Sequence, residues 1–321
     1  MTDRFEPVFI VGAPRSGTTL LRAMLNRHPR IGLCDETYFF YYVHLRARAF
    51  GDLADPARRE RLIASYLATQ RMQRLQLDLP ALAARLREEG RSYPAFFAAI
   101  LRFWAEAHGK FRVGEKTPHH AWNTETLFEW YPGARVIHLL RDPRDVTASL
   151  FNVPWGRRSA VTNGRLWVSL TRAAERSRHR PGYLRLRYED LIGDPEGRLT
   201  DVCRFLGEPF DPAMLRADPA AGTDKPWFER AQKALTRDRV DKWRSQLTPD
   251  QIRLVEAEAG PLMAEFGYER SLPAAGAGLR LRGALHGRVE DLADRIKRAP
   301  RMWYFWVRPT RLAAEERWVD R

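Results

Sequence analysis

The stretch PVFIVGAPRSGTTLLRAML, residues 7–25, constrains this chain more than any other. Val8, Phe9, Ile10 and Val11 form the continuous apolar run of a strand buried on both faces. From Thr18 the pattern is helical. Between the two lie Gly12, Ala13, Pro14, Arg15, Ser16 and Gly17. A strand that turns into a helix through such a loop aims backbone N–H groups and the positive helix end at one point, which makes an anion site. Ser16, Gly17, Thr18 and Thr19 supply backbone and hydroxyl donors there. Arg15 adds a permanently charged, bidentate clamp. Gly12 and Gly17 are spaced as in the phosphate pattern G-x-x-x-x-G-K-[ST], but Thr18 stands where the lysine belongs. Triphosphate transfer needs that lysine and Mg²⁺. A loop without it suits a group with less charge to neutralise, such as sulfuryl, moved without a metal.

Further strands are expected at 111–114, 134–140 and 183–188, beside the first at 7–12. Helices are expected at 56–75, 80–89, 94–108, 122–130, 144–152, 163–178 and 248–266. Short apolar strands alternating with helices predict an α/β fold: a P-loop-like parallel sheet with helices on both faces. PAAGAG at 273–278 reads as a linker. Beyond it, Leu285, Val289, Leu292 and Ile296 recur at helical spacing, giving an amphipathic helix over 284–298 that Pro300 should stop. MWYFWV, 302–307, is expected to pack back onto the main domain, with an interfacial aromatic anchor as the alternative.

Lysine and arginine total 54 against 40 acids, a net charge of +14. That favours anionic partners, unless the excess is only a solvated surface. Two cysteines, Cys34 and Cys203, make no disulfide framework and fit a reducing compartment. No leader-like h-region and no run of about 20 apolar residues is visible, so a cytoplasmic protein is expected, with peripheral membrane contact through 284–308 left open.

PRSGTTLLRAMLNRHPRI followed by DET at 35–37 resembles the opening of sulfotransferases that use 3′-phosphoadenosine 5′-phosphosulfate, most of all the tyrosylprotein branch and its bacterial relatives. The resemblance runs from about residue 7 to about residue 269. It implies a single α/β domain, taken as 1–272; composition and periodicity add the 273–278 linker and a basic amphipathic extension over 279–321, and 41–108 is read as a mostly helical insert on the acceptor side. A second block, ARVIHLLRDPRDVTASL (134–150), delivers Arg141 at the carboxyl end of a strand and Ser149 eight residues later. By resemblance these two hold the 3′-phosphate of the donor. LRLRYEDLIGDP (184–195) implies Tyr188 near the nucleotide, and VDKWRSQ (240–246) implies Lys242 as a nucleotide ligand. In DET, Glu36 corresponds to the branch's catalytic glutamate. In GEKTPHH, Lys116 corresponds to the cation that, with Arg15, stabilises the transferring sulfuryl group. His119 and His120 are rival bases, read rather as structural or acceptor-contacting.

One departure is plain. In the tyrosylprotein branch another arginine lies four residues past the serine, where this chain has Val153; Arg157 or Arg158 is the substitute considered. The acceptor is expected to carry a hydroxyl, whether on a peptide tyrosine, a glycan, a lipid or a secondary metabolite. Nucleic acid is not expected, and monomer or homodimer stays open. The competing readings are a P-loop kinase and a non-enzymatic basic protein that binds nucleic acid or membrane.

Overall fold

The computed structural model describes residues 5–216, 239–307 and 310–312. Five strands, β1 (Val8–Gly12), β2 (Ile31–Cys34), β3 (Arg112–Lys116), β4 (Arg135–Leu140) and β5 (Tyr183–Arg187), form one sheet in the order β2-β3-β1-β4-β5. Every pairing is parallel. β1 is central, and alternation along it feeds two cores. Phe9 and Val11 join the larger core with the insert's aromatic residues, while Val8 and Ile10 join the smaller one on the opposite face. The expected α/β sheet with helices on both faces is therefore present. Because all strands run the same way, all five carboxyl ends lie along one edge.

β3 approaches β1 so closely that a Cβ on Gly114 would stand 1.7 Å from the Val8 carbonyl oxygen. A side chain there would push the sheet apart. β5 is an edge strand, and Arg185 and Arg187 give that edge its charge.

The helices are α1 (Thr18–Asn26), α2 (Phe39–Tyr42), α3 (Ala47–Phe50), α4 (Pro56–Leu67), α5 (Gln70–Gln73), α6 (Leu79–Glu89), α7 (Tyr93–Ala107), α8 (Thr124–Trp130), α9 (Pro143–Phe151), α10 (Ala160–Glu175), α11 (Tyr188–Gly193), α12 (Pro195–Leu206), α13 (Trp243–Gln246), α14 (Pro249–Glu265) and α15 (Ala277–Val307). The helix expected over 56–75 is two. Thr69 takes extended backbone angles, and its hydroxyl accepts from the Met72 N–H, starting a new helix. Residues 118–123 form a 3₁₀ helix ahead of α8. α12 was not among the expected elements.

The C-terminal helix is longer than expected, starting at Ala277 and running past Pro300 to Val307. A proline removes one N–H and crowds the carbonyl four residues back, which kinks a helix without having to end it. The backbone of 302–307 is thus helical, but its side chains lie outside the described residues, and so does the expectation that they pack inward. Glu290 of α15 accepts from the Ser159 N–H at 3.1 Å, and Leu312 is buried with its N–H donating to Ser65 Oγ at 2.9 Å. Cys34 and Cys203 are free and buried.

Candidate active site

The turn from β1 into α1 has the geometry its residues suggested. Gly12 adopts φ +149°, and a Cβ there would lie 2.4 Å from the Leu139 carbonyl oxygen. Gly17 caps α1 at φ +96°, and a Cβ on it would strike the Tyr188 ring at 2.4 Å. Only glycine fits both. Arg15 itself has φ +72°, an unusual value for a residue with a side chain. Ser16 is buried with its Oγ unbonded, Thr18 is buried, and Thr19 is half-buried. A buried hydroxyl with no partner at a helix N-terminus marks a place for a polar ligand.

Around this loop the other strand ends converge. Arg15 Nε donates to Ser149 Oγ at 3.1 Å across 134 residues of sequence. Arg141, one residue past β4, donates to the Arg15 carbonyl oxygen at 3.0 Å. Its guanidinium lies 4.4 Å from the centre of the Tyr188 ring, one residue past β5. Arg141 also donates to the Arg239 carbonyl oxygen and pairs with Asp145 at 3.6 Å. Burial and the nearby Arg141 and Arg239 cations pull Arg15 down to about 10. Three guanidinium groups crowd one cleft, and that arrangement calls for an anion among them.

Lys242 sits less centrally. It is exposed on the turn before α13, and its side chain makes no hydrogen bond or ion pair among the described residues. The turn itself is fixed, because the N–H groups of Asp241 and Trp243 both donate to Asp145, each at 3.0 Å. Arg239, three residues upstream, is the cation this turn brings beside Arg15, and sequence reasoning missed it.

The second half of the site lies past β2 and β3. Lys116 Nζ is wholly buried and donates to Glu36 Oε1 at 2.6 Å, with Asp35 at 3.2 Å. Arg71, from α5 in the insert, stands 3.5 Å from Glu36 and 4.4 Å from the Tyr38 ring centre. Burial drives the Glu36 carboxyl upward, but Lys116 and Arg71 outweigh it, so the group lies below the ordinary carboxylate value. Asp35 is likewise held low, burial being outweighed by Lys116 and Arg22.

Behind this pair is a second, buried cluster. Glu115 is fully buried, and its Oε2 accepts from the Thr37 N–H at 3.2 Å, from the Thr37 hydroxyl, and from Thr117 Oγ1 at 3.2 Å. Its Oε1 faces His120 Nδ1. Glu115 therefore ties the turn that carries Glu36 to the strand that carries Lys116. His120 lies edge-on to Phe40, 4.9 Å between centres, and faces the core. His119 is closer to the cleft, between the Tyr38 and Trp122 rings, and burial pulls it down to about 4. The two histidines thus separate into a core member and a cleft member.

Arg157 pairs with Asp291 at 3.1 Å, Arg158 donates to the Phe151 carbonyl, and Val153 is buried. Arg157 thus reaches α15, and Arg158 the end of α9.

A parallel sheet with an anion loop after its central strand, and with cations at the carboxyl ends of its neighbours, defines an α/β protein with an anion-binding crevice at its strand ends. Residues 7–212 match the model of the Sulfotransferase family, and the chain belongs to that family. It is 29% identical over 329 residues to omega-hydroxy-beta-dihydromenaquinone-9 sulfotransferase Stf3 of Mycobacterium bovis, covering 88% of this chain and 79% of the relative. It is 25% identical over 287 residues to protein-tyrosine sulfotransferase of Drosophila melanogaster, covering 82% of this chain and 51% of the relative. The sulfotransferase domain of the Synechococcus PCC 7002 olefin synthase superposes with a TM-score of 0.56 at 25% identity, over 84% of this chain and 98% of that one. The expected resemblance, to the tyrosylprotein branch and bacterial relatives, is borne out, and the chain is a sulfotransferase.

Proposed function

We propose that the chain moves a sulfuryl group from 3′-phosphoadenosine 5′-phosphosulfate to an acceptor hydroxyl, with Glu36 as general base. One observation carries the reading: Arg15 and Ser149, far apart in sequence, are in hydrogen-bond contact, and Arg141 bonds the same loop. Two anion-binding segments are thereby joined into one cleft. The unbonded Ser16 Oγ and the depressed Arg15 fit a ligand with more than one anionic group. Ser16, Gly17, Thr18 and Thr19 would hold its sulfate-bearing end, and Arg141 and Ser149 the 3′-phosphate. Tyr188 would flank the nucleotide, and Lys242 would reach it from its turn. No residue here plays the part of a kinase lysine after Gly17, which disfavours the P-loop kinase reading.

The bound donor supplies an electrophilic sulfur with a stable anionic leaving group. The protein's own part is proton and charge management. The Glu36 carboxylate accepts the acceptor hydroxyl proton as that oxygen attacks. Lys116 and Arg15 would hold the oxygens on which charge grows. Lys116 is paired with Glu36, which keeps that carboxylate ionised and weakly basic. With Lys116 turned to the sulfuryl oxygens of a bound donor, Glu36 would lose that partner and gain basicity. Arg71 keeps the carboxylate oriented meanwhile.

For the acceptor, the relatives' names offer a protein tyrosine and a menaquinone hydroxyl, and we propose only a hydroxyl-bearing acceptor reached from the 41–108 insert, whose Arg71 already touches Glu36. We propose residues 1–272 as the catalytic domain, with 273–278, whose last two residues already belong to α15, linking the 279–321 extension.

The test is a screen of peptides, glycans and lipid extracts with radiolabelled donor, using wild type and Arg141→Ala. Labelled product from wild type, and a loss of affinity in Arg141→Ala that is larger for the 3′-phosphorylated nucleotide than for its 3′-dephospho form, support the reading. An equal loss for both nucleotides removes the role given to Arg141. Transfer that requires Mg²⁺ and ATP would replace the reading with a kinase.

A further inference from the structure

The inner face of α15 is fixed to the body. Glu290 accepts from the backbone N–H groups of Arg158 and Ser159, and Asp291 pairs with Arg157. Gly287 lets the helix close on α10: a Cβ there would meet the hydroxyls of Ser159 and Thr162 at 3.3 Å. The outer face is a different surface. Leu281, Leu285, Val289, Leu292 and Ile296 are between 49% and 66% exposed. At about 100° per residue they all fall within about 40° of Leu285, one stripe about 20 Å long.

Charge on this helix is sorted with the stripe. Arg282 and Arg288 lie about 60° to either side of it and Arg295 about 80°, and all three are exposed. The acidic side chains described on this helix, Glu290 and Asp291, are the ones turned to the body. The outer surface is therefore apolar in the middle and cationic at its borders. A second copy of the chain laid on the stripe would bring arginine borders together with no described acid on that face to answer them. A bilayer with anionic headgroups offers an apolar layer and a negative plane in the geometry the stripe presents. The arginine stems can lie along the acyl boundary while the guanidinium groups reach the headgroups.

We propose that α15 is a peripheral membrane anchor that lies in the interface of an anionic bilayer, with the Leu281–Ile296 stripe immersed and the border arginines on the headgroups. This stands independently of the sulfuryl-transfer reading, and its test needs no turnover. The full chain is floated with vesicles of about three parts phosphatidylcholine to one part phosphatidylglycerol, and with pure phosphatidylcholine vesicles, at about 0.1 M salt. The expected result is binding to the anionic vesicles at least about tenfold tighter than to the neutral ones. Leu285→Ser/Leu292→Ser should weaken it by about tenfold or more. Arg288→Glu/Arg295→Glu should abolish the preference for anionic vesicles, and because it alters only exposed side chains it tests the proposal even where the serine pair unfolds the helix. Melting temperatures and sedimentation of each variant are measured without lipid. Equal flotation with both vesicle types, or wild-type flotation by both variants, overturns the proposal. A lipid-free dimer that either variant converts to monomer also overturns it and assigns the stripe to a second copy.

Discussion

Glu36, the base proposed above, is held by more positive charge than that role needs. Lys116 at 2.6 Å and Arg71 at 3.5 Å keep it ionised but also keep it weak. Glu36→Gln should retain affinity for adenosine 3′,5′-bisphosphate and lose about two orders of magnitude or more in turnover, measured with saturating donor. The pH profile tests the exchange of partners. The free protein sets the acid limb of kcat/KM, and the loaded protein sets that of kcat. Glu36 is depressed while Lys116 is its partner, and would be less so with Lys116 turned to the sulfuryl group as proposed. The acid limb of kcat should therefore lie at higher pH than that of kcat/KM, and coincident limbs would show that Lys116 never leaves. Glu115 acts one step removed, as a positioning residue. Glu115→Ala frees the Thr37 turn and should cut kcat by about tenfold or more with donor affinity changed by less than about threefold. It should also move the acid limb of kcat/KM upward, because Glu36 would no longer be held against Lys116. Equal losses in donor affinity and kcat would mean a general loss of fold.

At the scale of elements, the site is a set of strand ends. Arg141 and Tyr188 each sit one residue beyond a strand, Lys116 ends one, and Glu36 lies two residues beyond another. That part was legible because each residue comes with its own local signal, an apolar run that breaks into polar or glycine residues. Arg71 and Arg239 carry no such signal. Each reaches the site through packing between distant segments, and nothing near them in sequence marks them. α12 was legible and unread: Asp194 caps it, and Leu199, Val202, Cys203 and Leu206 repeat at helical spacing. The break at Thr69 and the passage of α15 through Pro300 show the opposite case, where local propensity gives way to capping and to continued pattern. The close approach of β3 to β1 is also invisible in sequence, and it makes a stability prediction. Gly114→Ala forces a Cβ into the Val8 carbonyl and should cost about 3 kcal/mol in denaturant unfolding. Gly193→Ala, where a Cβ meets nothing within 4 Å, should stay within about 0.5 kcal/mol of wild type.

For the whole molecule the governing quantity is excess positive charge. The chain carries +14, and part of that excess is concentrated where Arg15, Arg141 and Arg239 face one another. Acid makes matters worse. Burial holds His119 at about 4 and His138 below its ordinary value, so the unfolded chain binds more protons than the folded one below about pH 6.5. Glu175 is held at about 2: burial raises it, but bonds from His138, Arg185 and Tyr183 outweigh that. Its contribution is complete above the ordinary carboxylate value and is lost as pH falls toward the folded one. All three act in the same direction, so the melting temperature should fall steadily from pH 7 to pH 4, and His119→Gln should flatten the upper part of that slope. An anionic ligand works against the same strain. Adenosine 3′,5′-bisphosphate at about a hundred times its Kd should stabilise the fold by about 2.7 kcal/mol, a rise of several degrees in melting temperature. ATP with Mg²⁺ presents its charge on one end only and leaves the Arg141–Ser149 side unanswered, so at the same concentration it should shift the melt by less. Arg141→Ala should erase the difference between the two nucleotides, because it removes the only group here assigned to the 3′-phosphate that carries a full charge. A larger shift with ATP and Mg²⁺ in the wild type would mean that the cleft reads a polyphosphate chain, and the donor proposed above would have to be abandoned.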